Sequence, residues 1–191
     1  MGADKAMLPI GDENFLSMAL RNAGAICPSP VIVGDASRYA SFGAVVEDRF
    51  KGCGPLGGIH AALCSSHTAL NLILSVDLPM MTPDFLRWLV SKANAGEEQV
   101  TVPRLNGRCE PLCAVYRRRV LPVVERALQA GHYKVDRMFA EAPTRFVSEV
   151  EIRSAGFAAD IFRNVNTPDE YEWVKQQVIE ARVGEAEIRR G

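Results

Sequence analysis

The chain has 191 residues, 48% of them hydrophobic and 24% charged, and 22 Lys and Arg against 23 Asp and Glu leave a formal net charge of −1. A chain of this length buries roughly 70% of the surface it exposes when unfolded, so one domain held by its own core is expected, with no need of a disulfide or structural metal. The charge balance argues against capture of nucleic acid, no apolar run reaches the roughly 20 residues of a membrane span, and the opening Met1-Gly2-Ala3-Asp4-Lys5 has no signal-peptide core, which together point to a cytoplasmic protein.

In chain order, a helical pattern from Asn14 to Ala23 is followed by two short apolar strands, Val31-Ile32-Val33 and Ala44-Val45-Val46. A helix is expected from Gly58 to Ser65, then the most apolar run of the chain, Ala69 to Val76, stopped by Asp77-Leu78-Pro79. Such continuous apolarity suits a strand covered on both faces. The pattern at Pro83 to Ala95 places Phe85, Leu86, Leu89, Val90 and Ala93 on one helix face, with Thr82 as N-cap, Pro83 at the first position and Gly96 beyond the end. Asn106-Gly107 between Gln99–Leu105 and Glu110–Tyr116 predicts an antiparallel hairpin. Helices follow at Val120 to Ala130 and Val135 to Ala142, then a strand near Arg145 to Ile152. Thr167-Pro168-Asp169-Glu170 reads as a capping box opening a last helix, whose buried face carries Tyr171, Val174, Val178 and Ala181. Strands alternating with helices make a Rossmann-like, three-layer α/β domain with a mostly parallel sheet and an antiparallel insertion, spanning residues 1–183, with 184–191 a flexible tail.

The five cysteines, Cys27, Cys53, Cys64, Cys109 and Cys113, form no C-x-x-C pair, and His60, His67 and His132 lie apart in the sequence. The pattern predicts small reduced core cysteines and no zinc centre, with His60 a packed or solvent-facing helix residue.

In an open α/β sheet, ligands sit beyond the carboxyl ends of the strands. Asp77 ends the most apolar strand, where a carboxylate can share Mg²⁺ with substrate phosphates or merely start the turn before Pro79; the pattern divides evenly between the two. Asp48 stands likewise after Val45-Val46-Glu47, and alone reads as a solvated loop residue. Between them Gly52-Cys53-Gly54-Pro55-Leu56-Gly57-Gly58 leads into a helix, a loop able to leave backbone N–H groups open to an anion or to serve as a tight connection. No G-x-x-x-x-G-K-[ST] phosphate loop occurs, which removes the commonest kinase and GTPase readings.

Met1-Gly2-Ala3-Asp4-Lys5 looks like the end of the nucleotidyltransferase signature L-A-G-G-x-[ST]-x-R-M-G-x-D-K. With Val45 to Asp48, Gly54-Pro55-Leu56-Gly57-Gly58, Asp77-Leu78-Pro79, Glu110 to Tyr116 and Asn164 to Glu170 in the same order, nearly the whole chain resembles the molybdenum cofactor guanylyltransferase family. The resemblance implies transfer of GMP from GTP to molybdopterin, carrying molybdenum in the finished cofactor, with release of pyrophosphate and use of Mg²⁺. It implies that Lys5 neutralises the departing pyrophosphate, Asp77 holds the metal, Asp48 contacts the nucleotide, and Gly57, Gly58, Asn164 and Asn166 lie on the pterin side. Partners that deliver molybdopterin or receive the finished cofactor are implied by the pathway.

The chain departs from that pattern in two places. It begins at the Met of Arg-Met-Gly, so the family's first strand and its Leu-Ala-Gly-Gly turn are expected in a natural chain about 15–20 residues longer. Gly34 also stands where some family members have Asn. Two other readings stay open: a cytidylyl or sugar-phosphate nucleotidyltransferase, and a shortened, inactive binding domain.

Overall fold

The computed structural model describes residues 4–188, with side chains as far as Val178. Asp4 caps a 3₁₀ turn at Lys5–Met7, its Oδ1 accepting from Ala6 N at 3.2 Å. A small hairpin of β1 (Pro9–Ile10) and β2 (Glu13–Asn14) leads into α1 (Phe15–Gly24), where the Asn14 side chain accepts from Ser17 N at 2.8 Å as N-cap. Next come β3 (Ile32–Val33), α2 (Ala36–Tyr39) and β4 (Val45–Val46), and β3 pairs with β4 in parallel, Ile32 against Val45. The remainder runs α3 (Pro55–Ser65), β5 (Leu70–Leu74), α4 (Pro83–Asn94), β6 (Val100–Leu105), β7 (Arg108–Cys109), β8 (Cys113–Arg117), α5 (Leu121–Gln129), α6 (Val135–Glu141), β9 (Thr144–Ser148), α7 (Glu149–Ser154) and α8 (Pro168–Ile188).

A five-stranded mixed sheet carries most of the core. β5, β6 and β9 run in one direction; β8 lies reversed between β5 and β6, and β9 takes the other edge of β6 from Val100↔Thr144 to Arg104↔Ser148. The expected hairpin forms at Asn106-Gly107, whose φ angles of 48° and 77° are those of a tight two-residue turn between β6 and β7. Successive residues of β8 serve opposite layers, following the two-residue period of a strand. Ala114 and Tyr116 pack with Leu56, Ile59 and Leu63 of α3 and with Val124 of α5, whereas Cys113 and Val115 pack with Phe85, Leu86 and Leu89 of α4. Each of these large side chains is almost fully buried, worth about 1.5–3 kcal/mol apiece in transfer free energy. The result is the helix–sheet–helix layering expected from the alternating pattern.

Several expectations need correction. β5 ends at Leu74, and all five of its residues are only half-buried, because among the described residues it pairs on one side alone, with β8. Apolarity along a strand reports burial averaged over both faces and not the pairing of its edges. The strand expected at Arg145 to Ile152 stops at Ser148, where Ser148 and Glu151 form a second capping box that turns the chain into α7. Of the five cysteines only Cys53 and Cys113 are core residues; Cys27 is exposed, and Cys64 and Cys109 are half-buried. The short elements β1, β2 and α2 carry too few residues to show a period. Thr82 does cap α4, accepting from Phe85 N at 3.3 Å. α8 runs into the expected tail as far as Ile188, and the side chain of Ala181 lies outside the described residues.

Gly34 has a local reason to lack a side chain. A Cβ there would stand 2.9 Å and 3.0 Å from the ring atoms Cδ2 and Cε2 of Tyr39. That tyrosine is committed elsewhere: its hydroxyl donates to Asp4 Oδ2 at 2.8 Å, beside the Arg38 guanidinium 2.7 Å from the same oxygen. Burial, and then the neighbouring Asp4, push the Tyr39 hydroxyl above its ordinary pKa. Gly34→Ala is therefore expected to lower stability by about 1–3 kcal/mol through overpacking. The same change made in a Tyr39→Ala background should cost much less, a non-additivity that thermal melts of the four variants will read.

Candidate active site

Three residues from three distant parts of the sequence meet at the carboxyl end of β5. Lys5 Nζ donates to Asn166 Oδ1 at 2.6 Å and stands 3.6 Å from Asp77 Oδ2. The Lys5 and Asp77 side chains keep 30% and 34% of their exposure, so the pair is open to solvent. An ion pair this exposed contributes about 0–1 kcal/mol, too little for its geometry to be explained by stability.

Each member is held by backbone. Beyond β5, Ser75 N donates to Leu112 O at 2.6 Å, Asp77 N donates to Ser75 Oγ at 3.2 Å, and Asp77 O accepts from Val165 N at 3.3 Å. The segment Glu110-Pro111-Leu112 thus supports the turn that carries Asp77, and is itself tied down by Tyr116, whose hydroxyl donates to Pro111 O at 2.8 Å. Val165 is fully buried with Ile10, Phe15 and Val174, which anchors the loop carrying Asn166 between α1 and α8. Lys5 is set by its neighbours, Asp4 as cap and the buried Ala6. Sequence reasoning passed over Asp4 as an anchor and Tyr39 altogether, because neither belongs to a local pattern that links residues 4 and 39.

The expected capping box at the start of α8 is present and does a second job. Glu170 Oε2 accepts from Thr167 N at 2.9 Å and also from Asn166 N at 2.8 Å, while Glu170 N donates to Thr167 Oγ1 at 3.2 Å. Glu170 therefore orients the backbone of the residue that holds Lys5. Those two backbone N–H groups keep its carboxyl below the ordinary glutamate range.

Asp48 and Gly57 make a second group. Asp48 Oδ1 accepts from Phe50 N at 2.7 Å, and its Oδ2 lies 2.5 Å from the point a Cβ on Gly57 would occupy. Only glycine lets the carboxylate lie this close to the first turn of α3. That helix begins at Pro55 after Gly54, which has φ 62° and offers no side chain as cap. Gly58 faces Val33, and Asn164 is exposed in the same loop as Asn166. Among the described residues no hydrogen bond or ion pair joins this group to Lys5, Asp77 and Asn166. Met1 to Ala3 of the opening motif lie outside the described residues.

One carboxylate reachable from solvent beside a lysine suits a hard divalent cation that takes its remaining ligands from phosphate oxygens and water. Asp77 meets that demand, with an oxygen facing the same space as the Lys5 ammonium.

Residues 1–146 match the MobA-like NTP transferase domain family. A probable molybdenum cofactor guanylyltransferase of Carboxydothermus hydrogenoformans is 31% identical over 173 residues, covering 90% of this chain and 87% of the relative. The fold matches that of molybdopterin-guanine dinucleotide biosynthesis protein A from Archaeoglobus fulgidus with a TM-score of 0.81 at 22% identity, over 94% of this chain and 92% of the other. A Mycobacterium tuberculosis protein solved as a manganese complex aligns with a TM-score of 0.66 at 21% identity, over 92% and 93% of the two chains.

Because Glu170 has its pKa lowered on folding, its contribution to stability is fully present above the unfolded glutamate value of about 4.5 and is lost as pH falls through the lowered folded value. The loop at residues 164–167 should therefore loosen in acid. Amide exchange at Asn166 and Thr167 is expected to accelerate, relative to the rest of α8, as pH falls below about 4.5, and Glu170→Gln should remove that pH dependence.

Proposed function

The chain belongs to the molybdenum cofactor guanylyltransferase family, within the MobA-like NTP transferases, and from that membership we propose that it transfers GMP from GTP to molybdopterin, carrying molybdenum in the finished cofactor, and releases pyrophosphate. The observation that carries the reading is the meeting of Lys5, Asp77 and Asn166, residues of three separate family motifs, within one solvent-open site.

The α-phosphorus of GTP is attacked by a phosphate oxygen of the pterin substrate. That nucleophile is already an anion, so no side chain has to remove a proton from it. The chemical difficulty is bringing two anions together and carrying the charge that gathers on the leaving pyrophosphate. Lys5 supplies one positive charge on a side chain already directed by Asn166 and Asp77, so little reorganisation is needed when phosphates arrive. Asp77 would hold Mg²⁺, whose chemistry there is to neutralise phosphate oxygens as a Lewis acid. The manganese carried by the Mycobacterium tuberculosis neighbour agrees with a divalent ion in this fold. Asp48, fixed by Phe50 N and by the close approach of Gly57, would contact the nucleotide. Gly57, Gly58, Asn164 and Asn166 would line the pterin side, with the uncapped start of α3 offering N–H groups to an anion. Positioning and electrostatics then carry most of the rate.

We assign this work to a single domain over residues 1–183. We place its action in the cytoplasm; among the described residues no helix is long and apolar enough to cross a membrane.

Asp77→Ala is expected to lower GMP transfer by at least about 10²-fold, the scale of losing one electrostatic stabiliser. Lys5→Ala should slow transfer or weaken GTP binding while moving the melting temperature by no more than a few degrees, as an exposed pair predicts. Near-normal turnover of Asp77→Ala at saturating Mg²⁺ would overturn the metal assignment. In the same assay, GTP should outcompete CTP and ATP for Mg²⁺-dependent pyrophosphate release; preference for CTP would favour the cytidylyl reading.

A further inference from the structure

One to two turns further along α3 than Gly57, a second cluster of chemically capable side chains forms across two helices. His60 and Cys64 are four residues apart on α3 and so share one face, and that face meets Glu125 of α5. His60 Nε2 lies 3.6 Å from Glu125 Oε1 and 3.4 Å from Cys64 Sγ, and the three ligand atoms are all within 4.8 Å of one another. The His60 side chain is only 5% exposed. Its ring also packs edge-on with Phe50, with centroids 4.9 Å apart at 90°.

We propose that His60 Nε2, Cys64 Sγ and Glu125 Oε1 form a binding site for a zinc-class divalent cation, with water completing a tetrahedron. A zinc ion with bonds of about 2.0–2.3 Å to nitrogen, oxygen and sulfur requires neighbouring ligand atoms about 3.3–3.8 Å apart, and the two distances at His60 already fall in that range. The donor set discriminates: one imidazole, one thiolate and one carboxylate suit a borderline-soft ion, whereas Mg²⁺ prefers oxygen alone. Binding displaces the Sγ proton of Cys64 to solvent and takes His60 in its neutral form. Burial, and then the Glu125 carboxylate, hold the Cys64 thiol above its ordinary pKa, and Arg49 and Arg118 offset this only in part, so the cation itself has to draw off the proton. The sequence hid the site because only two of its three ligands have a regular spacing, and the third comes from a helix about 60 residues away, where nothing local marks it.

The consequence is a staple between α3 and α5. α3 also carries Gly57 and Gly58 at its first turn, and Phe50, the ring against His60, donates its backbone N–H to Asp48. An ion at His60 would therefore stiffen the helix from which the Asp48–Gly57 group is built, without touching a substrate.

Chelator-treated protein titrated with Zn²⁺ against a chromophoric competitor should show one site per chain, with a rise in melting temperature. Co²⁺ should give a thiolate-to-metal charge-transfer band in the near ultraviolet together with tetrahedral visible bands. A large excess of Mg²⁺ should displace neither ion. Cys64→Ser, nearly isosteric and only half-buried, should lose the charge-transfer band and bind Zn²⁺ at least about tenfold more weakly, and Glu125→Gln should weaken binding while keeping the band. Asp77→Ala should leave all of these readings unchanged, which separates the site from the one proposed for catalysis. No charge-transfer band in the parent, or equal Zn²⁺ affinity in Cys64→Ser of unchanged circular dichroism, would overturn the assignment and leave the three groups as a hydrogen-bonded contact between two helices.

Discussion

The backbone hydrogen bond from Val165 N to Asp77 O joins the end of β5 to the loop before α8 at 3.3 Å, and the candidate active site rests on it. On one side it fixes a carboxylate just past a strand that Leu112 also grips through Ser75. On the other it fixes Asn166, the residue that holds Lys5. A backbone bond of this kind sets position without consuming a side chain, so Asp77 and Asn166 remain available to a ligand. Val165 makes the junction firm: its side chain is buried, and moving the loop would expose it.

The same economy appears at Asp48. Its carboxylate is held by one backbone N–H and by the absence of a Cβ at Gly57, leaving the charge pressed against the start of α3. Anions are stabilised near a helix N-terminus. Lys5 faces Asp77, and Asp48 lies beside the first turn of α3. Neither arrangement is a strong contributor to folding, since both are open to water and screened. The stability lies instead in the two apolar layers on either side of β6 and β8, where Tyr116, Phe85, Leu56 and Met138 are fully buried.

α3 links these regions. It packs through Leu56, Ile59 and Leu63 into one face of the large sheet, and it also contacts β3 and β4, which pair only with each other among the described residues. Its first turn belongs to the candidate active site and its second and third to the His60 cluster. A rigid helix is the natural carrier for both, because side chains one or two turns apart on it keep a constant separation.

Much of this was legible from residues alone. The period of 3.6 in α4, the Asn106-Gly107 turn and the Thr167–Glu170 capping box are local signals, each decided by the conformations a few neighbouring residues allow, and each is realised. The family resemblance likewise singled out Lys5 and Asp77, which do meet. One failure was local: the Ser148–Glu151 capping box that opens α7 competes with an apolar strand pattern over the same residues. The other failures turn on information that is not local, as the half-burial of β5 depends on which strands pair with it. Tyr39 against Gly34, Glu170 on Asn166 N, and Glu125 beside His60 are contacts between segments that share no spacing. By itself the sequence determined the longer elements, the caps of α4 and α8, and the types of charged group available to a nucleotidyltransferase. Tertiary structure alone decided which of those groups stand within reach of one another, because distances across the fold are set by how the layers pack and not by any property of the neighbours along the chain.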